Sequence, residues 1–210
     1  MADHLPSGKQ IELEGTHVYV YVSSVGDQFL DLVEEFITGA RPIARELDKR
    51  VLATVLFTDI VGSTERLADI GDAAWSGLLA EHNEIVASFI AEFRGRQVDS
   101  AGDGVFAIFD GPARAVRCAS AIQDAVRKLG VEVRAGVHTG EVEVADGNVR
   151  GLAVHIAARV SALAGPSELL VTRTLTELVV GSGLRFSSRG QHALKGVPAM
   201  WEIFALADAG

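Results

Sequence analysis

Cysteine is almost missing: Cys118 stands alone among 210 residues. No disulfide can close within the chain, and the place of Cys118 on an apolar helical stripe assigns it to the core. Long hydrophobic runs are missing too. Nothing approaches the roughly eighteen consecutive apolar residues of a membrane-spanning helix, and no charged, apolar leader opens the chain. These absences predict a soluble, cytosolic protein without a membrane partner. Positive charge is in deficit, 19 Lys and Arg against 28 Asp and Glu, for a net charge of −9. Nonspecific nucleic-acid binding runs on surplus Lys and Arg, so no nucleic-acid partner is expected. A few converging cations could still define a nucleotide site. There is no internal repeat, no low-complexity tract and no Gly-x-Ser-x-Gly elbow. Ser7-Gly8-Lys9 lacks the spacing of a P-loop and reads as a surface turn.

What is present suffices for a sizeable core, with 48% hydrophobic residues in a chain long enough for one large or two small domains. Residues 1–40 read apart from the rest. Lys9 to Glu14 alternates like a strand, Thr16 to Val22 could be another, and Asp27 caps an amphipathic helix that Gly39 ends. A charged linker, 41–50, follows. From Val51 to about residue 206 strands and helices alternate.

Two aspartates organise that second part. Val51 to Phe57 is an apolar, β-branched run that reads as a buried strand, and Asp59 closes it. Asp103 sits in a Gly-Asp-Gly turn between Arg96-Gln97-Val98 and Val105 to Phe109, the signal of a tight hairpin. A strand lying beside that hairpin would bring both carboxylates to one edge of a sheet. Two carboxylates so close repel unless a cation lies between them, and hard oxygen ligands suit Mg²⁺. Taken singly, Asp59 could be a helix cap and Asp103 a turn residue.

Ser63 or Thr64 is expected to cap the next helix, which Gly71 interrupts. Trp75, Leu78, Leu79, Ile85, Val86, Phe89, Ile90 and Phe93 then recur at helical spacing and read as core. A helix from about Gly111 to Leu129 begins at Pro112. Val131 to Val144 supplies a strand with a turn-back strand after Gly140. A helix over Gly151 to Leu163, a strand at Leu169 to Val171, a short helix from Thr174 and two strands near Phe186 and Ile203 complete the pattern. The order predicts an α/β fold, an α+β sandwich: a ferredoxin-like βαββαβ domain with an appended βαββ.

The segments Phe57 to Thr64, Gly102 to Phe109, Arg134 to Glu141, Gly151 to Arg159 and Leu194-Lys195-Gly196 resemble, in order, the catalytic domain of class III nucleotidyl cyclases, the adenylyl and guanylyl cyclases, with a likeness to mycobacterial-type domains. The resemblance covers about three quarters of the chain. It implies an adenylate cyclase converting ATP to 3′,5′-cyclic AMP and pyrophosphate. It further implies two Mg²⁺ or Mn²⁺ ions held by Asp59, Asp103 and the carbonyl of Ile60, with Arg134, Arg159 and Lys195 on phosphoryl oxygens. The family shares each site across a homodimer: one protomer gives the aspartates and the first Arg, the other the base-reading pair, the ribose contact, the helix Arg and the Lys. His138 matches a family histidine without direct chemistry and reads as packing.

Two departures stand out. The ribose-orienting Asn of the family is His155 here. Its base-reading Lys and Asp are Asp99 and Asn148, a pair of neither the usual adenylyl nor the usual guanylyl kind. GTP is therefore an alternative substrate, and a weakly active or inactive nucleotide-binding dimerisation module is the rival from another class. A palm-like polymerase shares the two-Asp sheet but not the Arg159 and Lys195 motifs. Residues 15–27 resemble the last strand and helix of an α/β-hydrolase, with His17 at its catalytic histidine; without an elbow this stretch reads as a remnant of an upstream domain, lacking hydrolase activity.

Overall fold

The computed structural model describes residues 32–33, 35–39, 50–145 and 147–208. The chain divides into two units, Met1–Asp48 and Lys49–Gly210, and each is taken by itself. In the first, 32–33 and 35–38 are helical. Gly39, with φ of 70°, ends the helix and donates its N–H to the Glu35 carbonyl at 2.9 Å. The expected strands, the Gly15-Thr16-His17 stretch and 41–49 of the linker lie outside the described residues.

In the second unit, β1 (Arg50–Ile60) leads through α1 (Ser63–Ile70) and α2 (Asp72–Glu92) to the hairpin of β2 (Arg96–Ala101) and β3 (Gly104–Phe109). Next come α3 (Pro112–Val126), a 3₁₀ turn at Arg127–Leu129, β4 (Val133–Ala145), β5 (Asn148–Arg150) and α4 (Leu152–Leu163). The chain ends with β6 (Leu169–Thr172), α5 (Arg173–Leu178), β7 (Arg185–Ala193) and β8 (Met200–Asp208). The strands form one mixed sheet in the order β2-β3-β1-β4-β6-β8-β7, with β5 paired to β4. Its first half is the split βαββαβ arrangement expected from the sequence. β1 is central there, antiparallel to both β3 and β4.

Period-two alternation divides the side chains of β1 between two layers. Leu56 and Ile60 join Val86 and Ile90 of α2 and Val116, Ile122 and Val126 of α3 in the larger core. Ala53 and Val55 face the other way and pack with Ala153 and Ala157 of α4. The aromatic stripe of α2 behaves as its spacing predicts: Val86 and Ile90 are buried, and Trp75, Leu78 and Phe89 pack against the same core. Burying one such side chain contributes about 1.5–3 kcal/mol. Cys118 is fully buried in this layer, and burial pushes its thiol up to about 12.

Two local expectations are corrected. Neither Ser63 nor Thr64 caps α1; both lie inside it, and Gly62 in a left-handed conformation is the cap, with no side-chain hydrogen bond. The helix does break at Gly71. β4 does not turn back after Gly140 but runs straight to Ala145, and the returning strand is β5. Gly140 serves close packing: a Cβ there would meet the Ala153 Cβ at 2.9 Å and His138 Nε2 at 3.0 Å. Gly136 has the same reason, since a Cβ would collide with the Ser161 backbone. Two glycines on one face of β4 let α4 lie directly on the strand.

Candidate active site

The β1–β3 ladder ends at Thr58↔Val105. Asp59 is the next residue of β1, and Asp103 lies two residues before Val105, in the β2–β3 turn. Both carboxylates therefore stand at one end of one strand pair. Gly102, with φ of 64°, makes the tight turn possible. Asp59 lies directly opposite Arg134 in the β1–β4 register. Arg134 donates through Nε at 2.9 Å and through Nη2 to Asp59 Oδ2. The two side chains are only 34% and 33% exposed, so the pair is half-sheltered. Ile60 is buried, with its side chain in the core.

Asp59, Arg134 and Asp99 line one pocket of about 400 Å³. Its floor is the stacked pair Phe57 and Phe106, with ring centroids 4.8 Å apart, and α4 supplies Ala158, Ser161 and Ala162. Asp99 reaches it from β2, opposite Phe106, and accepts the Ser100 N–H at 2.8 Å.

The remaining candidates gather around α4. His155 and Arg159, one helical turn apart, are both exposed. Lys195 is exposed and follows Leu194, which packs with Ile156 and Val160 of α4. Asn148 is exposed on β5, tethered through Val149 against Ala153 and Ala157. Among the described residues, no hydrogen bond or ion pair engages the side chains of His155, Arg159 or Lys195. The structure thus brings the candidates into two groups, Asp59, Asp103 and Arg134 at the end of β1, and Asn148, His155, Arg159 and Lys195 around α4. Asp99 is the exception: it shares the pocket of the first group, although the family resemblance assigns it to the protomer opposite. Asn148 lies across from Ala145, at the far end of the strand that begins beside Arg134. At about 3.3 Å per residue, Arg134 and Ala145 are roughly 35 Å apart.

The residues fit a divalent cation. Among the described residues the buried Asp103 Oδ2 has no hydrogen-bond partner, a costly state for a carboxylate oxygen without a cation or donor near it. Among the described residues no three His, Cys, Asp or Glu side chains gather to hold an ion by themselves. Further ligands would have to come from backbone, water and phosphate, as is the habit of Mg²⁺. Sequence reasoning missed the Phe57–Phe106 floor and the buried His82 of α2. The spacing of His82, Val86 and Ile90 was the available signal. His138 packs as expected: it is buried, bonded through Nδ1 to Thr172 Oγ1 at 2.7 Å, and set edge-on to Trp201.

Nucleotidyl cyclase domains are one class with a mixed sheet of this topology and aspartates at one strand end. The chain belongs to the family described as the adenylate and guanylate cyclase catalytic domain, whose model matches residues 48–207. It is 29% identical over 164 residues to a putative adenylate cyclase 3 of Rhizobium meliloti, a match covering 74% of this chain and 28% of that protein. It is 30% identical over 154 residues to an uncharacterized protein of Mycobacterium tuberculosis, covering 72% of this chain and 40% of that one. The chain thus spans well under half the length of these relatives. Among solved structures it resembles an adenylate/guanylate cyclase/hydrolase from Silicibacter pomeroyi, at 25% identity and a TM-score of 0.69 over 76% of this chain and 98% of that one. A guanylate cyclase domain from Catenaria anguillulae in complex with GTP shares the fold, at 17% identity and a TM-score of 0.67 over 74% and 96%. No helix among the described residues is long and apolar enough to cross a membrane.

Proposed function

We propose that residues 51–206 form an adenylate cyclase that converts ATP to 3′,5′-cyclic AMP and pyrophosphate at sites shared across a homodimer. One observation carries the shared site: Arg134 and Asn148 stand at opposite ends of β4, farther apart than a nucleotide spans. One nucleotide can meet both kinds of residue only if two chains contribute. A two-fold dimer would set the Asp59, Asp103 and Arg134 group of one chain against the α4 group of its partner.

Asp59, Asp103 and the Ile60 carbonyl would hold Mg²⁺ or Mn²⁺. Such ions, when bound, lower the pKa of the ribose 3′-hydroxyl and neutralise the triphosphate. The 3′-oxygen forms a bond to the α-phosphorus, the bond to the bridging oxygen breaks, pyrophosphate leaves and the hydroxyl proton passes to solvent. Arg159 and Lys195 have no competing partner among the described residues and would take phosphoryl oxygens as charge builds there. His155, one turn before Arg159, would donate to the ribose. Asp99 and Asn148 would face the base. Residues 1–40 would be a fragment of a different domain joined by the linker 41–50.

GTP is the second reading, favoured by the Asp99 carboxylate, which suits the N1 and N2 donors of guanine. Incubating the protein with Mn²⁺ and ATP or GTP, then identifying the products by mass, tests both. Cyclic AMP as main product supports the first reading, cyclic GMP the second, and neither product overturns the enzyme.

A further inference from the structure

Besides Arg66 Nε, three buried side-chain polar atoms have no hydrogen-bond partner among the described residues. They are Thr58 Oγ1, His82 Nε2 and Asp103 Oδ2. Thr58 pairs with Val105, whose side chain joins the core beneath α2 and α3, and Asp103 is two residues from Val105. His82 is fully buried on α2, above the same core. An imidazole on the same buried helix face as Val86 and Ile90 would be better replaced by leucine if packing were its only duty.

We propose that His82 is a positioning residue for cyclisation, its Nε2–H holding the inner oxygen of Asp103, directly or through one bound water, so that the outer oxygen is presented to the cation. The proposal rests on reading Asp103 as a cation ligand.

Nδ1 lies 3.1 Å from Asn83 Oδ1. With Asn83 Oδ1 turned toward the ring, the contact calls for the proton on Nδ1; the Nε2–H form needs the Asn83 carboxamide turned over. That half-turn puts the carboxamide N–H on Nδ1, which leaves the ring proton on Nε2. Burial lowers the His82 pKa from its ordinary value, against the opposing pull of Asn83 and of the Asp103 charge. A neutral ring has one N–H to give, and Asp103 is the anion that acts on it. The inner oxygen would gain the donor it lacks, and Thr58 Oγ1–H, on the same face, can join the network. A carboxylate held on its inner side loses little freedom when a cation takes the outer one. Partners of this kind, one step behind a metal ligand, are worth roughly 10–100-fold in metal affinity or activity.

The test uses the full chain and Mn²⁺ alone, with free Mn²⁺ counted by electron paramagnetic resonance. His82→Leu removes the donor and keeps the bulk. His82→Gln keeps an N–H near the Nε2 position. The expected result is Mn²⁺ affinity weakened roughly 10–100-fold in His82→Leu, restored to near wild type in His82→Gln, with melting temperatures alike. His82→Leu binding Mn²⁺ and turning over like wild type, beside an Asp103→Asn control that has lost Mn²⁺, overturns the role of His82 alone. If Asp103→Asn binds Mn²⁺ as wild type does, the metal reading falls and the proposal with it. Should His82→Leu not fold, the tautomer decides on the wild-type protein: ¹⁵N NMR of the histidines should show the proton on Nε2, with its resonance moving as Mg²⁺ is added. A proton on Nδ1 overturns the proposal.

Discussion

Arg134 lies directly across the β1–β4 pair from Asp59 and grips its carboxylate through both Nε and Nη2. A cation at Asp59 would therefore share the carboxylate with a guanidinium or displace it. Arg134→Met removes a positive charge beside the site, so Mn²⁺ should bind at least as tightly as in wild type. Turnover should nevertheless fall roughly 100-fold, because charge on the phosphoryl oxygens loses a donor. Mn²⁺ counting and steady-state rates on the same preparation separate the two effects. Unchanged kcat would reduce the ion pair to a structural contact.

Asp59→Ala and Asp103→Ala should each abolish cyclic nucleotide formation and leave the fold intact. Removing one ligand of a two-cation site takes away both nucleophile activation and phosphate clamping. Circular dichroism and a product assay check this. More than a few per cent of residual activity in either variant removes that aspartate from the site.

Mixing inactive Asp59→Ala with inactive Arg159→Ala should restore activity. One site of the heterodimer then receives intact aspartates from one chain and an intact Arg159 from the other. Unfolding and refolding the two proteins together, then assaying, measures it. Absence of recovery would argue for a site contained in one chain, and the position of Asp99 in the Asp59 pocket would become its first clue.

The base-reading pair should be loose. Without a matched Lys and Asp, discrimination between ATP and GTP is expected to shrink by roughly 10–200-fold. Asp99→Lys combined with Asn148→Asp should raise kcat/KM for ATP and depress it for GTP. Wild type preferring GTP defeats the adenylyl reading, and an unchanged ratio in the double variant removes these positions from base recognition.

His138 makes folding sensitive to acid. Burial pushes its pKa down to about 4, against about 6.5 in an unfolded chain. Between those values the unfolded chain holds a proton that the folded protein does not. Stability is therefore complete above about pH 6.5 and declines as pH falls toward 4, by on the order of 3 kcal/mol. Denaturation midpoints across that window should slope for wild type and flatten for His138→Gln. Equal slopes would assign the acid sensitivity to other groups.

Much of this protein could be read from residue order. β1, the Asp103 hairpin and the α2 stripe announce themselves because each follows a local period or turn chemistry. The Asp59–Arg134 pair does not, since it depends on how two strands distant in sequence choose their register. Gly140 misled for a related reason. A glycine inside an apolar run looks like a turn when its true cause is a helix lying on the strand, and that helix is invisible locally. His82 escaped because one polar residue within an apolar helical stripe reads as packing until burial is seen to leave a ring nitrogen without a partner among the described residues.

β4 begins beside Arg134 and ends at the hairpin bearing Asn148, with α4 seated on its two glycines. In a two-fold dimer these ends would serve different nucleotides, so one stiff rod would belong to both. A ligand that pulled on one end would shift the lever at the other. The kinetic signature of such a shared rod is cooperativity: rate against substrate concentration departing from a simple hyperbola, and doing so less once one of the two sites has been disabled.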